Sequence, residues 1–578
     1  MQVHQSCSVE YAKIKMKMEN PKEKIYSILE KLINEKYAID DVSSMLRVTA
    51  PKDSQFGDFM SNIAMHAFGT VKVNEYTKVH HLVVRATSPL EFAKEIAKDI
   101  EAQNLDMFDK VEAVEPGFIN FYLSPKYLQA QVQNIIEAGD NYGSLNIGEG
   151  KKTSVEFVSA NPTGPLHIGN ARGGPLGDSI ANVFAKAGFK VTREYLHNDV
   201  GGQVEHLGEA IYYNLHPDQR TENYEIQYQG EYIKELAQAV EETMQDKDQD
   251  LSAEKFMEEA GKIAVELMLT EILKDCEDMG IKYDVVRKES DLRREVPQVL
   301  AKIKKSLKEK DGAEWFAPAD EFLKDRETVV KKTDGQFTYF ASDIVYHDEK
   351  MERCDLVIDV LGANHSGHVP RLKAVVKALG FNPDALRAIL YQWVRLKRGE
   401  EVIKMSKRAG NFVTAREVLD EVGKDAFRFF LLTPRSQTHM DFDLELAKKK
   451  VSDNPVFYVQ YAYSRICSIF AKLKTENLKL KTEGSDLSLL KAHEEIELIR
   501  HLLKLPYLIE ESVKTLEVNP LTTFALEIAT LFHKFYETQK VISDDEKLTA
   551  ARLALLKATQ ITLKNTLDLL GVSAPEHM

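Results

Sequence analysis

The apolar positions of the chain change period repeatedly, and residues 154–205 show both periods side by side. Ser154 to Val158 is a short run rich in β-formers. Asn161, Pro162, Thr163, Gly164 and Pro165 then make a break that no regular element crosses. From Leu176 the residues Ile180, Val183, Phe184 and Ala187 follow helical spacing, Gly188 suits a helix end, and Lys190 to Leu196 reads as a second strand. The pattern predicts a βαβ unit.

Before this unit, Lys22 to Lys36 places Ile25, Ile28, Leu29 and Leu32 on one helical face. A helix is expected around Phe92 to Glu101, a turn and strand over 115–124, and an amphipathic helix from Tyr122 to about Gly143. After it, charge-rich helical patterns run from about Gly208 to Lys310 and read as an insertion with exposed faces. Asp334-Gly335 sets a hairpin-like turn, and Tyr339 and Asp343 stand four apart. Leu356 to Leu361 reads as a buried strand ending at Gly362-Ala363-Asn364-His365, and another strand is expected around Ile389 to Leu396. A helix pair over 416–433 leads to an almost wholly helical remainder from about Asp443 to Leu570, closed by Gly571 and Pro575. Within it, Phe457, Tyr461 and Ser464 share a helical face. Residues 471–490, with Lys472, Lys474, Lys479 and Lys481, read as a polar connector.

At 578 residues the chain exceeds one hydrophobic core and should hold about three or four domains. With 43% apolar and 29% charged residues it has the make-up of a soluble globular protein, and no apolar run approaches the roughly 20 residues of a membrane span. The first 20 residues are polar and without an apolar h-region, so neither a secretory signal nor strong order is expected there. Cys7, Cys276, Cys354 and Cys467 are far apart with no C-x-x-C, which argues against a zinc site or disulfide framework and fits a reducing cytoplasm. A net charge of −14 does not exclude nucleic acid, because binding depends on local Lys and Arg; it predicts segregated basic patches.

In a βαβ unit the turn after the first strand offers backbone N–H groups and a helix N-terminus to phosphate. There is no G-x-G-x-x-G, and Asn170 stands where the spacing of Gly164 and Gly169 would require a P-loop lysine. The turn instead carries His167-Ile168-Gly169-Asn170. By itself this is a weak pattern, since a lone histidine is more often structural. Lys404-Met405-Ser406-Lys407 alone would be a solvated basic loop. Together, in this order, they resemble the two signatures of class I aminoacyl-tRNA synthetases.

The longer blocks VEFVSANPTGPLHIGNARGGPLGDS, REYLHNDVGGQ, RLKRGEEVIKMSKRAGNFVT and FDLELAKKKVSDNPVFYVQYAYSRICSI resemble the bacterial type of arginyl-tRNA synthetase, over roughly residues 20 to 578. The resemblance implies an α/β multidomain fold. A Rossmann-type doubly wound parallel-sheet catalytic domain over 146–440 carries a helical insertion at about 208–310 and the lysine loop at 404–407. An N-terminal tRNA-contacting α+β domain over 21–145 precedes it, after an extension over 1–20, and a C-terminal all-α anticodon-binding bundle over 441–578 completes the chain. Residues 69–90 look like an added stretch whose His80, His81 and Arg85 are most simply read as solvated.

The activity so implied is ATP-dependent activation of arginine to arginyl-adenylate and pyrophosphate, then transfer to the 3′-terminal ribose of the tRNA for arginine, in a cytoplasmic monomer without membrane association. His167, Asn170, Lys404 and Lys407 are then the catalytic donors. Gly164, Gly169, Gly362 and Ser406 join them around ATP, with Mg²⁺ arriving on the nucleotide and no protein metal site. Neither step needs a covalent nucleophile, so donors that stabilise growing negative charge are the chemistry expected. Asn170 departs from the histidine usual there, though an amide still donates to phosphate. For the amino acid, the resemblance implies Glu289, Tyr339 and Asp343 at the guanidinium and Asn161 at the α-groups, with His365 or a neighbour beside them. Carboxylates suit a planar, always-charged guanidinium, and an aliphatic side chain would be poorly served by this set. A tRNA-binding relative without catalysis would be expected to lose the lysine signature or the Gly-rich turn; both are present.

Overall fold

The computed structural model describes residues 20–37, 39, 41–51, 53–73, 86–220, 225–244, 251–319, 321–323, 327–403, 413–475 and 484–578. The expectations for the first 19 residues, for His80, His81 and Arg85, for Lys404, Ser406 and Lys407, and for Lys479 and Lys481 lie outside these described residues.

Five parallel strands form the centre: β1 (Lys152–Phe157), β2 (Lys190–His197), β3 (Val285–Lys288), β4 (Leu356–Gly362) and β5 (Leu386–Tyr391), in the order β5-β4-β1-β2-β3. After Lys152 every residue of β1 is buried, as a strand covered on both faces requires. The order reverses between β1 and β4, and ligands of such sheets bind beyond the carboxyl ends at that point. His167 lies after β1 and Gly362 ends β4, so the fold brings these two segments to one edge.

Helix α1 (Gly173–Lys186) crosses from β1 to β2, starting three residues before the expected Leu176. Glycines permit this: a Cβ on Gly177 would sit 2.2 Å from Phe157 Cγ, so the helix lies closer to β1 than any side chain would allow. The strand also ends at Phe157, because Val158 and Ser159 turn into positive φ (68° and 37°).

Other expectations are corrected. Tyr122 belongs to the strand Phe118–Leu123, and the helix runs from Pro125 to Ala138, capped by Ser124 accepting from the Tyr127 N–H. The helical insertion is not continuous over 208–310. The helices Gly202–Leu215, Glu231–Met244 and Ala253–Asp278 share their own core, and the chain rejoins the main sheet at β3 before starting α2 (Glu289–Lys302). Residues 307–331 then form three short antiparallel strands. The single strand expected around Ile389 to Leu396 is two, β5 and Val394–Arg398. The second pairs with Met440–Asp443, because buried Arg172 holds the Gln392 carbonyl at the bend between them (2.8 Å).

Helix α3 (Tyr339–Arg353) and helix α4 (Val369–Ala378) cover one sheet face. Helix α1, the N-terminal helices and four-stranded antiparallel sheet, and the C-terminal helices ending with Glu546–Leu570 share one continuous hydrophobic core on the other side.

Candidate active site

His167 caps the single turn Ile168–Ala171, its Nδ1 accepting from the Gly169 N–H at 2.9 Å. That bond places the imidazole proton on Nε2. A Cβ at Gly169 would lie 3.0 Å from that same Nδ1, so a larger residue would press on the imidazole. The residues that follow the lysine signature are fastened to this turn. Thr414 pairs with His167, the Ala415 N–H donates to Leu166 O at 2.7 Å, and the Ile168 N–H reaches Val413 O at 3.4 Å.

A narrow cleft of about 10 Å³ lies beside it, lined by Gly169, Asn170, Gly362, Ala363, Asn364, Tyr391, Gln392 and Trp393. Three expected ATP residues, Gly169, Asn170 and Gly362, share this cleft. Trp393 stands 56% exposed at its rim, and Tyr391 donates to Asn170 O at 3.3 Å. Gly164 lies on the preceding turn under the Tyr232 ring, whose hydroxyl donates to Thr163 O (3.1 Å). A larger hollow of about 350 Å³ between β5 and residues 515–517 contains none of these residues.

The acidic group forms where α2 meets α3. Asp199, just after β2, accepts from the Ser290 N–H and hydroxyl (2.8 and 2.6 Å) and so fixes the first turn of α2. Glu289 is 1% exposed. Its Oε1 accepts from Arg293 Nε and Nη2 (3.1 and 3.0 Å) and from Ser342 Oγ (3.1 Å), whereas its buried Oε2 has no donor among the described residues. Burial pushes the carboxyl up, Arg293 and Ser342 pull it back, and it comes to about 7. Tyr339 donates to Val200 O at 3.3 Å and lies under the Arg293 guanidinium at 5.8 Å. Asp343 Oδ2 pairs with His368 Nε2 at 3.1 Å. Burial lowers the His368 pKa, but Asp343 outweighs it and the net shift is upward; burial and neighbouring His368 push His365 down. The fold thus brings Glu289, Tyr339 and Asp343 together, with His365 at the far side of His368. Asn161 is exposed on the loop after β1, its side-chain oxygen accepting from Asn198 at 2.8 Å.

Beneath the site runs a buried polar chain. Ser159 Oγ donates to Glu156 Oε1 (2.9 Å), and fully buried Lys350 bridges Glu156 and Asp359 at 2.8 Å each. His347 joins Asp359 Oδ2 (2.9 Å) to the Asp343 main-chain oxygen (2.8 Å). Burial alone would raise Asp359, but Lys350 and His347 hold it well below the usual carboxylate range. This chain couples the end of β1 to the α3 turn bearing Asp343.

Sequence reasoning missed Arg293, Ser342, His368, Tyr391 and Trp393. Local spacing could have pointed to three of them: Arg293 lies four residues after Glu289, Ser342 precedes Asp343, and His368 lies three after His365.

Three family profiles match the chain: an arginyl tRNA synthetase N-terminal domain over residues 20–123, a class I (R) tRNA synthetase catalytic domain over 131–468, and a DALR anticodon binding domain over 459–578. An arginine–tRNA ligase of Acetivibrio thermocellus is 42% identical over 544 residues, covering 92% of this chain and 94% of the relative. One of Staphylococcus aureus is 37% identical over 554 residues, 94% and 97% of the two chains. Among solved structures, Thermus thermophilus arginyl-tRNA synthetase shares the fold with a TM-score of 0.74 at 20% identity, over 96% of this chain and all of that one.

Proposed function

The chain belongs to the class I arginyl-tRNA synthetases, and from that premise we propose how its residues divide the work of joining arginine to its tRNA. The enzyme is an arginine–tRNA ligase: ATP and arginine give arginyl-adenylate and pyrophosphate, and the arginyl group then passes to the terminal ribose of the tRNA. In our reading the triphosphate lies across the turn of Gly164, His167, Gly169 and Asn170, with its adenosine toward Gly362 and the exposed face of Trp393. His167 Nε2 and the Asn170 amide donate to phosphate oxygens, and Lys404, Ser406 and Lys407 close from the opposite side as negative charge moves onto the departing pyrophosphate. The observation that supports this reading is the backbone pairing of residues 413–415, which directly follow the lysine signature stretch, with 166–168 at the imidazole turn.

Arginine is seated with its guanidinium toward Glu289, Tyr339 and Asp343, beside His365, and its α-groups toward Asn161. Mg²⁺ travels on the triphosphate and neutralises phosphate charge when bound; among the described residues no three His, Cys, Asp or Glu side chains gather to hold a metal. For the tRNA, the stacked Phe457 and Tyr461 rings (6.2 Å, 8°) and Arg465 over Tyr536 (4.2 Å) offer planar surfaces suited to unpaired bases. No helix among the described residues is long and apolar enough to cross a membrane. A cytoplasmic monomer is our proposal for the working form.

The test is arginine-dependent ATP–pyrophosphate exchange, run with and without the tRNA for arginine and with lysine as competitor. Exchange with arginine and not lysine is expected; no exchange under any condition sinks the reading. Lys407→Ala is expected to lose on the order of 100-fold in exchange rate while keeping its affinity for tRNA, measured by filter binding.

A further inference from the structure

Glu289 is held in an uneven way. Three donors, two from Arg293 and one from Ser342, converge on Oε1, while Oε2 is equally buried and receives none among the described residues. A charged acceptor shut away from both water and donors is unfavourable, and a ligand N–H removes that cost. The two carboxylates are held differently: Glu289 is paired with the Arg293 guanidinium, whereas Asp343 is paired with the titratable His368 at 3.1 Å, on which Arg371 also acts.

Arg293 is itself built into the wall. Its guanidinium lies 5.8 Å from the Tyr339 ring centre, and a Cβ on Gly201 would come within 3.1 Å of its Nη2 and 2.7 Å of the Tyr339 hydroxyl. Arg293, Tyr339 and the glycine turn therefore form one packed surface.

We infer that Arg293 is a positioning residue for the amino-acid substrate: it stays in place, commits Oε1 of Glu289, and thereby presents Oε2 as the seat for a substrate guanidinium N–H. This rests on the assignment of Glu289, Tyr339 and Asp343 as the guanidinium pocket. Specificity comes from geometry. A planar guanidinium can donate to Oε2 and to Asp343 at once, whereas an ammonium is a point charge and serves one of them.

The experiment is steady-state pyrophosphate exchange on the full chain with Arg293→Met and Arg293→Lys, varying arginine and ATP separately. Arg293→Met is expected to raise the arginine KM about tenfold to a hundredfold, leaving kcat and the ATP KM nearly unchanged, because ground-state seating is what is lost. Arg293→Lys, which restores a cation against Oε1, is expected to recover part of that loss. An arginine KM that is unchanged in Arg293→Met overturns the inference, and one that falls overturns it by showing that substrate displaces Arg293. Equal damage to the arginine and ATP parameters without rescue by lysine overturns it as well, since that is general disruption. If the unaltered enzyme shows no arginine-dependent exchange, the pocket assignment itself has failed, which is a separate outcome.

Discussion

A carboxyl group poised at about 7 is unusual for glutamate, and at Glu289 it has a direct consequence for substrate binding. The group must be ionised to hold a guanidinium. Substrate therefore binds the deprotonated form, and affinity is lost as pH falls through about 7. The arginine KM is expected to be flat above this value and to rise towards about tenfold per pH unit below it, with the ATP KM nearly constant. His368 pushes in the same direction, since Asp343 raises its pKa and its protonated form competes for that carboxylate. Glu289→Gln separates the two. It should bind arginine weakly with a KM that no longer climbs near pH 7; a slope that survives in this variant assigns the titration to His368. The fixed acid Asp359 plays no part in that window, because Lys350 and His347 keep it ionised far below it.

At the scale of elements, close approach of backbones sets the geometry of the insertion. A Cβ on Gly208 would lie 2.0 Å from the Met257 carbonyl oxygen, and one on Gly261 would lie 2.6 Å from that of Val204. The helices Gly202–Leu215 and Ala253–Asp278 thus meet through main chain. Gly208→Ala is expected to push them apart at a cost of about 1–3 kcal/mol. The effect should be local: faster hydrogen exchange across both helices, a higher ATP KM as Tyr232 loosens from Thr163, and little change in the central sheet. Uniform destabilisation would contradict this. Such contacts also explain what the sequence could and could not disclose. The unit from Ser154 to Leu196 was legible because its Gly and Pro punctuation and its two hydrophobic periods are local. The bend at Gln392 was not, because it depends on Arg172, a residue 220 positions away, and the return of the chain at β3 depends on pairing with β2. Likewise, nothing in the spacing of Glu289 and Arg293 reveals that both donor atoms choose the same oxygen.

The whole molecule is tied together by one buried cation. Arg428, fully buried, donates to Asp178 Oδ2 in α1 (2.7 Å), to Met279 O at the end of the insertion (3.0 Å) and to Leu570 O at the end of the last helix (2.8 Å). Gly571 must be glycine for this to happen: it adopts φ 65°, and any Cβ would fall 2.2 Å from the guanidinium. Arg428 therefore joins α1, the end of the insertion and the last helix, adding a polar link to the core that α1 and the last helix share, without itself belonging to the active site. Arg428→Met leaves Asp178 Oδ2 with only the Asn182 amide at 3.4 Å among the described residues, while Arg193 still holds Oδ1 at 3.1 Å, and it strips a donor from two carbonyls. A loss of about 3–5 kcal/mol is expected, read as a lower thermal unfolding midpoint with hydrogen exchange rising first in 546–570. Much of that loss comes from the stranded carboxylate rather than from the pair's net contribution, so adding Asp178→Asn should restore part of the stability. The restored protein should still charge tRNA less well than the parent, because the amide removes the half-paired charge without re-fastening the last helix to the sheet. A double variant no more stable than Arg428→Met would instead locate the cost in the two bare carbonyls.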